Sequence, residues 1–108
     1  MATSAGLVEV IRPTISRVSA QEVDEVETRL VSVSTKVQNA EQNLELLRVR
    51  LQQQGMVMSP AAMEDLGLMR ASLQRARRQF ASGDMAASRD SLEAVDAFAT
   101  RVLRAAGR

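Results

Sequence analysis

Nine apolar residues recur at steps of three and four along the first half of the chain. They are Val23, Val26, Leu30, Val33, Val37, Ala40, Leu44, Leu47 and Leu51. This spacing is that of a heptad seam, which keeps one apolar stripe of a helix facing a partner along its whole length. The pattern therefore predicts one long helix that packs against other helices.

Capping signals bound this first helix. Ser19 and Glu22 match a capping box, in which the serine side chain accepts a hydrogen bond from the amide three residues on. Gly55 is suited to the end of the helix, because glycine adopts the left-handed conformation that closes many helices. We expect the helix to run over about 20–54.

Two further helices follow. Ser59 before Pro60 is a typical helix start and predicts a helix over about 60–81, while Asp84 predicts a third over about 85–106. Their apolar stripes also have helical spacing. The positions are Met63, Leu66, Met69, Leu73, Ala76 and Phe80 in the second helix, and Met85, Ser88, Leu92, Val95, Ala99 and Val102 in the third.

These elements predict an all-α fold: a three-helix antiparallel bundle, or coiled-coil hairpin, over residues 19–108. A composition with two Phe and neither Trp nor Tyr suits helix-on-helix packing better than a sheet sandwich. Residues 1–18 are expected to form a partly disordered arm. Within it, Pro13 interrupts the apolar pattern of residues 7–18, which leaves open a short helical turn or an extended piece on each side.

The chain is poor in the groups that catalysis uses most often. It has no Cys and no His, so a thiolate nucleophile, a Cys zinc site and an imidazole base are all excluded, and Lys36 is its single lysine. Glu41 and Glu45 lie one turn apart, but no Glu-x-x-His motif completes a bundle metal site. We therefore expect a protein that is not an enzyme and that needs no cofactor or metal.

Charge and hydropathy favour neither nucleic acid nor a membrane as the main partner. The 14 basic and 13 acidic residues give a net charge of +1. No apolar run approaches the roughly 18 residues that a transmembrane helix needs. The first residues lack the basic and apolar regions of a secretory signal, which favours a cytoplasmic location.

The predicted function is contact: a helical protein–protein interaction or assembly module, such as a scaffold or adaptor. Counting back from the first turn, residues 20–32 should project beyond the hairpin of the two shorter helices and leave part of the seam uncovered. Residues 7–18 are one candidate cover. We favour a second copy or another helical partner, because the heptad pattern persists through the overhang. The predicted partner-binding residues are Val23, Val26, Leu30 and Val33.

The alternative function is a bundle that binds nucleic acid. Four arginines of the second helix, Arg70, Arg75, Arg77 and Arg78, form a basic cluster in the sequence. Cations in the second half of a helix also complement its dipole, and the chain offers no clustered aromatic residues for base stacking. We therefore rank this function below protein contact.

Several of the six methionines lie near helix ends, where they could fill gaps in the core or form an adaptable surface.

Overall fold

The computed structural model describes residues 19–107. It contains three helices, α1 (Ala20–Gln53), α2 (Pro60–Ala81) and α3 (Met85–Ala106), and no strand within those residues. The helices pack side by side in an all-α bundle, which confirms the predicted fold class and the helix bounds to within a residue. The predictions made for residues 1–18 lie outside the described residues.

The predicted N-caps are confirmed at all three helices. The Ser19 and Ser59 hydroxyls accept hydrogen bonds from the backbone amides three residues on, at 3.0 and 3.2 Å. The Asp84 carboxylate accepts one from the Ala87 amide at 3.1 Å. Each side chain satisfies an amide that has no partner inside its helix, so each cap defines where its helix begins.

Two glycines reverse the chain after α1 and α2. Gly55 and Gly83 have φ angles of +73° and +87°, which a residue with a Cβ adopts only at a cost. After α1, the Met56 amide donates to the Leu51 carbonyl at 2.8 Å; after α2, the Asp84 amide donates to the carbonyl five residues back at 2.9 Å. These are Schellman closures, which satisfy carbonyls at the helix ends.

The three helices enclose one apolar core. All of its buried side chains except Ala62 come from the three predicted stripes, whereas Met63, which was predicted to belong to the stripe of α2, is 48% exposed. The buried side chains are Val26, Val33, Val37, Ala40 and Leu44 from α1, Ala62, Met69, Leu73 and Ala76 from α2, and Met85, Leu92, Val95, Ala99 and Val102 from α3.

Helix α3 lies against both other helices, whereas α1 and α2 touch each other much less. Small residues let α2 and α3 approach closely, and the buried Ser88 hydroxyl donates to the Ala76 carbonyl at 2.9 Å between them. Helix α2 runs antiparallel to α1, since Arg70 contacts Glu41 and Arg77 contacts Ser34. Helix α3 runs antiparallel to α2, since Arg101 approaches Asp65 and Ser91 contacts Gln79, so it runs parallel to α1.

The predicted overhang of residues 20–32 is wrong. Val26 is only 1% exposed, and it lines the same groove as Leu92 of α3. The prediction counted back along antiparallel helices from the first turn, as if residues equally distant from the turn lay side by side. In the structure the first half of α3 lies beside the first half of α1. The chain itself covers this part of the seam.

Candidate interaction surfaces

The four residues predicted to bind a partner contact the chain's own core. Val26 and Val33 are buried, at 1% and 3% exposure, and Val23 and Leu30 are half-buried against the same cluster. Packing inside the bundle therefore accounts for their apolar spacing without a second chain. A partner could reach Val26 or Val33 only if α1 separated from α3.

A polar contact flanks this part of the seam. The Lys36 ammonium donates to the Asp96 carboxylate at 2.6 Å and to the Thr100 hydroxyl at 2.9 Å, both on α3. Arg29 approaches the same carboxylate at 3.9 Å. These half-exposed bonds stabilise one register of α1 against α3, because a shift along the helix would separate the partners. The sequence pattern does not indicate this contact, since the contact joins residues 60 positions apart.

The arginines of the predicted basic patch do not share one face of α2. Arg70 pairs with Glu41 and Arg77 reaches Ser34, so both point toward α1. At 3.6 residues per turn, Arg75 projects about 160° around the helix from Arg77. Arg75 and Arg78 are exposed. A nucleic-acid backbone needs a continuous basic surface, and this arrangement divides the four charges between different sides of the helix.

Glu41 and Glu45, one turn apart on α1, both face cations. Glu41 pairs with Arg70, and Glu45 accepts two hydrogen bonds from Arg48 at 2.6 and 2.9 Å. Hydrogen bonding from Arg48 lowers the pKa of Glu45, and the same contact raises the pKa of Arg48. Each carboxylate is thus paired with an arginine. Within residues 19–107, no cluster of three or more His, Cys, Asp or Glu side chains could hold a metal ion.

The turn between α1 and α2 carries an apolar tip, formed by Met56, Val57, Met58 and Met63. Val57 is 90% exposed, and Met56 and Met63 are about half exposed. Together with Arg48 and Gln52 these side chains line a shallow groove. Of the two interpretations of the methionines, a surface location applies to Met56 and Met63, whereas Met69 and Met85 are buried in the core.

The outward side of α1 carries further large apolar residues. Val31 is 63% exposed, Leu46 64% and Val49 39%, although they lie on the same helix as the buried seam. The seam pattern accounts for the helix without these three residues, so the sequence pattern did not point to them. Their separations of 15 and 3 residues place all three on one side of a helix, and this is the signal that could have identified them.

No known protein family, curated protein or solved structure matches this chain. None of the three described helices is both long enough and apolar enough to cross a membrane. The assignment of a function therefore rests on the surfaces described above.

Proposed function

We propose that this protein is a non-enzymatic helical module for protein–protein contact, which assembles with further copies of itself. The observation that carries the proposal is the exposure of large aliphatic side chains on a bundle whose core is already complete. Val31, Leu46 and Val57 are each more than 60% exposed, while the residues of the inner seam pack within the chain. Around Val57, the side chains of Met56 and Met63 line the same groove, and adjoining apolar side chains that the fold does not need are typical of interaction surfaces.

The heptad pattern predicts self-association through the seam residues Val23, Val26, Leu30 and Val33. Their contacts with the core favour a structural role for these residues. The proposed contact surface is therefore the exposed apolar side chains rather than the seam. Two candidate surfaces follow, the apolar tip and the outward side of α1.

Binding of nucleic acid through Arg70, Arg75, Arg77 and Arg78 is the competing proposal. The split of these arginines around α2 makes it the weaker one. The two functions differ in their response to salt, because phosphate contacts release counterions and weaken steeply as salt rises. Association between apolar surfaces changes little over the same range.

The test is sedimentation of the full chain over a wide range of protein concentrations at low and at high salt. The proposal expects the average mass to rise with concentration to a similar degree in both buffers. A chain that remains a monomer up to about millimolar concentration would rule out self-assembly, because weaker association has little stabilising energy. Titration with duplex and single-stranded DNA in the same buffers tests the competing proposal.

A further inference from the structure

The exposed side of α1 carries a continuous stripe without any charge. Its members, here called the outer stripe, lie at steps of three and four and are all exposed: Thr28, Val31, Thr35, Gln38, Gln42, Leu46, Val49 and Gln53. The outer stripe is roughly 38 Å long at 1.5 Å per residue. An exposed helix face normally carries charged residues, so an uncharged stripe of this length is unusual for a surface in permanent contact with water.

The polar members of the outer stripe are ones that can be buried at little cost. The Thr35 hydroxyl donates to the Val31 carbonyl of its own helix at 3.1 Å, which satisfies the hydroxyl and leaves the methyl group available for contact. Gln38 and Gln42 each carry both a donor and an acceptor. Such an amide can bond to an identical amide on a second copy, whereas a charged side chain would repel its own image.

We infer that the outer stripe binds the outer stripe of a second copy of this chain, with the two α1 helices antiparallel. This inference rests on the proposed function and identifies its contact surface. A homodimer interface is self-complementary, so the same surface must be able to face itself. The outer stripe meets that condition because it has no charge of either sign along its length.

The charges at the ends of the outer stripe select the antiparallel orientation. Asp24 continues the stripe at its first end, and Arg50 lies beside its last turns. A parallel pair would place Asp24 opposite its own copy, where like charges repel. An antiparallel pair with its two-fold axis between residues 38 and 39 places Asp24 opposite Gln53, one turn from Arg50 of the second copy.

The same axis brings the apolar members together. Val31 and Leu46 are equally distant from the axis and would face each other, and so would Thr28 and Val49. Gln38 would lie next to its own copy. The end charges thus select the antiparallel orientation, and the apolar spacing sets its register, with an apolar contact on each side of a central pair of amides.

The first test uses charge substitutions. Val31→Glu with Leu46→Glu should raise the dissociation constant of the dimer at least about tenfold, because each contact would then bury a carboxylate. A comparison variant, Val57→Glu with Met63→Glu, adds the same charge to the apolar tip, which is the other candidate surface, and should leave the constant unchanged if the outer stripe is the interface. Gln38→Glu tests the same interface with a side chain of equal size, because it would place a carboxylate next to its own copy. Circular dichroism establishes that each variant stays helical.

The second test measures orientation. The chain has no cysteine, so a single introduced cysteine reports one position. Gln38→Cys should form a covalent dimer with a short bismaleimide, whereas Val31→Cys alone should not, because its two copies would lie about 22 Å apart. A mixture of Val31→Cys and Leu46→Cys chains should crosslink to each other.

The outcomes separate this inference from the proposed function. If the parent associates and the Val31/Leu46 variant associates equally well, the outer stripe is not the interface, although self-assembly stands. Self-crosslinking of Val31→Cys would overturn the antiparallel orientation. Loss of association in the Val57/Met63 variant would assign the contact to the apolar tip. A parent that is a monomer throughout would overturn the proposed function and this inference together.

Discussion

The inner and outer sides of α1 follow the same three-and-four spacing but differ in what they contact. On the inner side the aliphatic residues are buried by α3 and α2, so the pattern is explained by the fold. On the outer side Val31, Leu46 and Val49 remain in water. The comparison shows that helical periodicity marks a face able to pack, while only burial tells whether the chain itself already supplies the partner.

Leucines two residues apart give the sharpest measure of this difference. Leu44 is 1% exposed and Leu46 is 64% exposed. Leu44→Ala should lower the free energy of unfolding by about 2 to 5 kcal/mol, because it removes buried methyl groups and leaves a cavity. Leu46→Ala should change it by less than about 0.5 kcal/mol in the monomer. Urea unfolding at low protein concentration measures both, and equal losses would contradict the assignment of the two sides.

A valine pair tests whether α3 covers the first part of α1. Val26 is 1% exposed and Val31 is 63% exposed. Val26→Ala should lower the free energy of unfolding by about 2 kcal/mol, since it removes two buried methyl groups and leaves a cavity against Leu92. Val31→Ala is the control and should be close to neutral in the monomer. A neutral Val26→Ala, measured by the same unfolding curves, would restore the predicted overhang.

Loss of the polar contact between Lys36 and Asp96 should have a smaller effect on the free energy of unfolding. Lys36→Gln removes the charge that faces Asp96, while both side chains keep about a third of their surface in water. Solvent screens the pair, so the expected loss is about 1 kcal/mol or less. The loss should shrink when salt is raised from low to about molar concentration. A salt-independent loss would indicate that Lys36 acts through packing of its aliphatic part instead.

The exposed ion pair between Glu45 and Arg48 should have the smallest effect on stability. The lowered pKa of Glu45 means that its ionised form favours the folded state, so the pair stabilises the chain above the ordinary pKa of 4.5. That contribution disappears as the pH falls through the lowered pKa of the folded state. Glu45→Gln should therefore be slightly less stable than the parent at neutral pH, and the difference should vanish in acid. Paired thermal melts at neutral pH and near pH 2 measure the difference.

The fold was predictable from the sequence to an unusual extent because its signals are local. Ser19, Ser59 and Asp84 cap helices through amides only three residues away. Gly55 and Gly83 end helices through their own backbone conformation. Such contacts involve only residues that are close together in the sequence, so they can be predicted from the sequence alone.

The candidate surfaces were less predictable. The seam residues Val26 and Val33 were expected to meet a partner, yet α3 covers this part of α1. The four arginines cluster in the sequence, but rotation around the helix separates them. In both cases the missing information was the direction in which a side chain meets another helix, which a linear count does not contain.

For residues 19–107, the sequence by itself determined where the three described helices begin and end, and most of the apolar stripe of each. The tertiary structure alone decided that α3 rather than a second chain covers the start of α1, and that Lys36 meets Asp96. It also decided that Val31 and Leu46 remain exposed. The physical reason is that capping and periodicity arise from residues within one or two turns, whereas coverage depends on the crossing of helices whose contacts join distant parts of the chain.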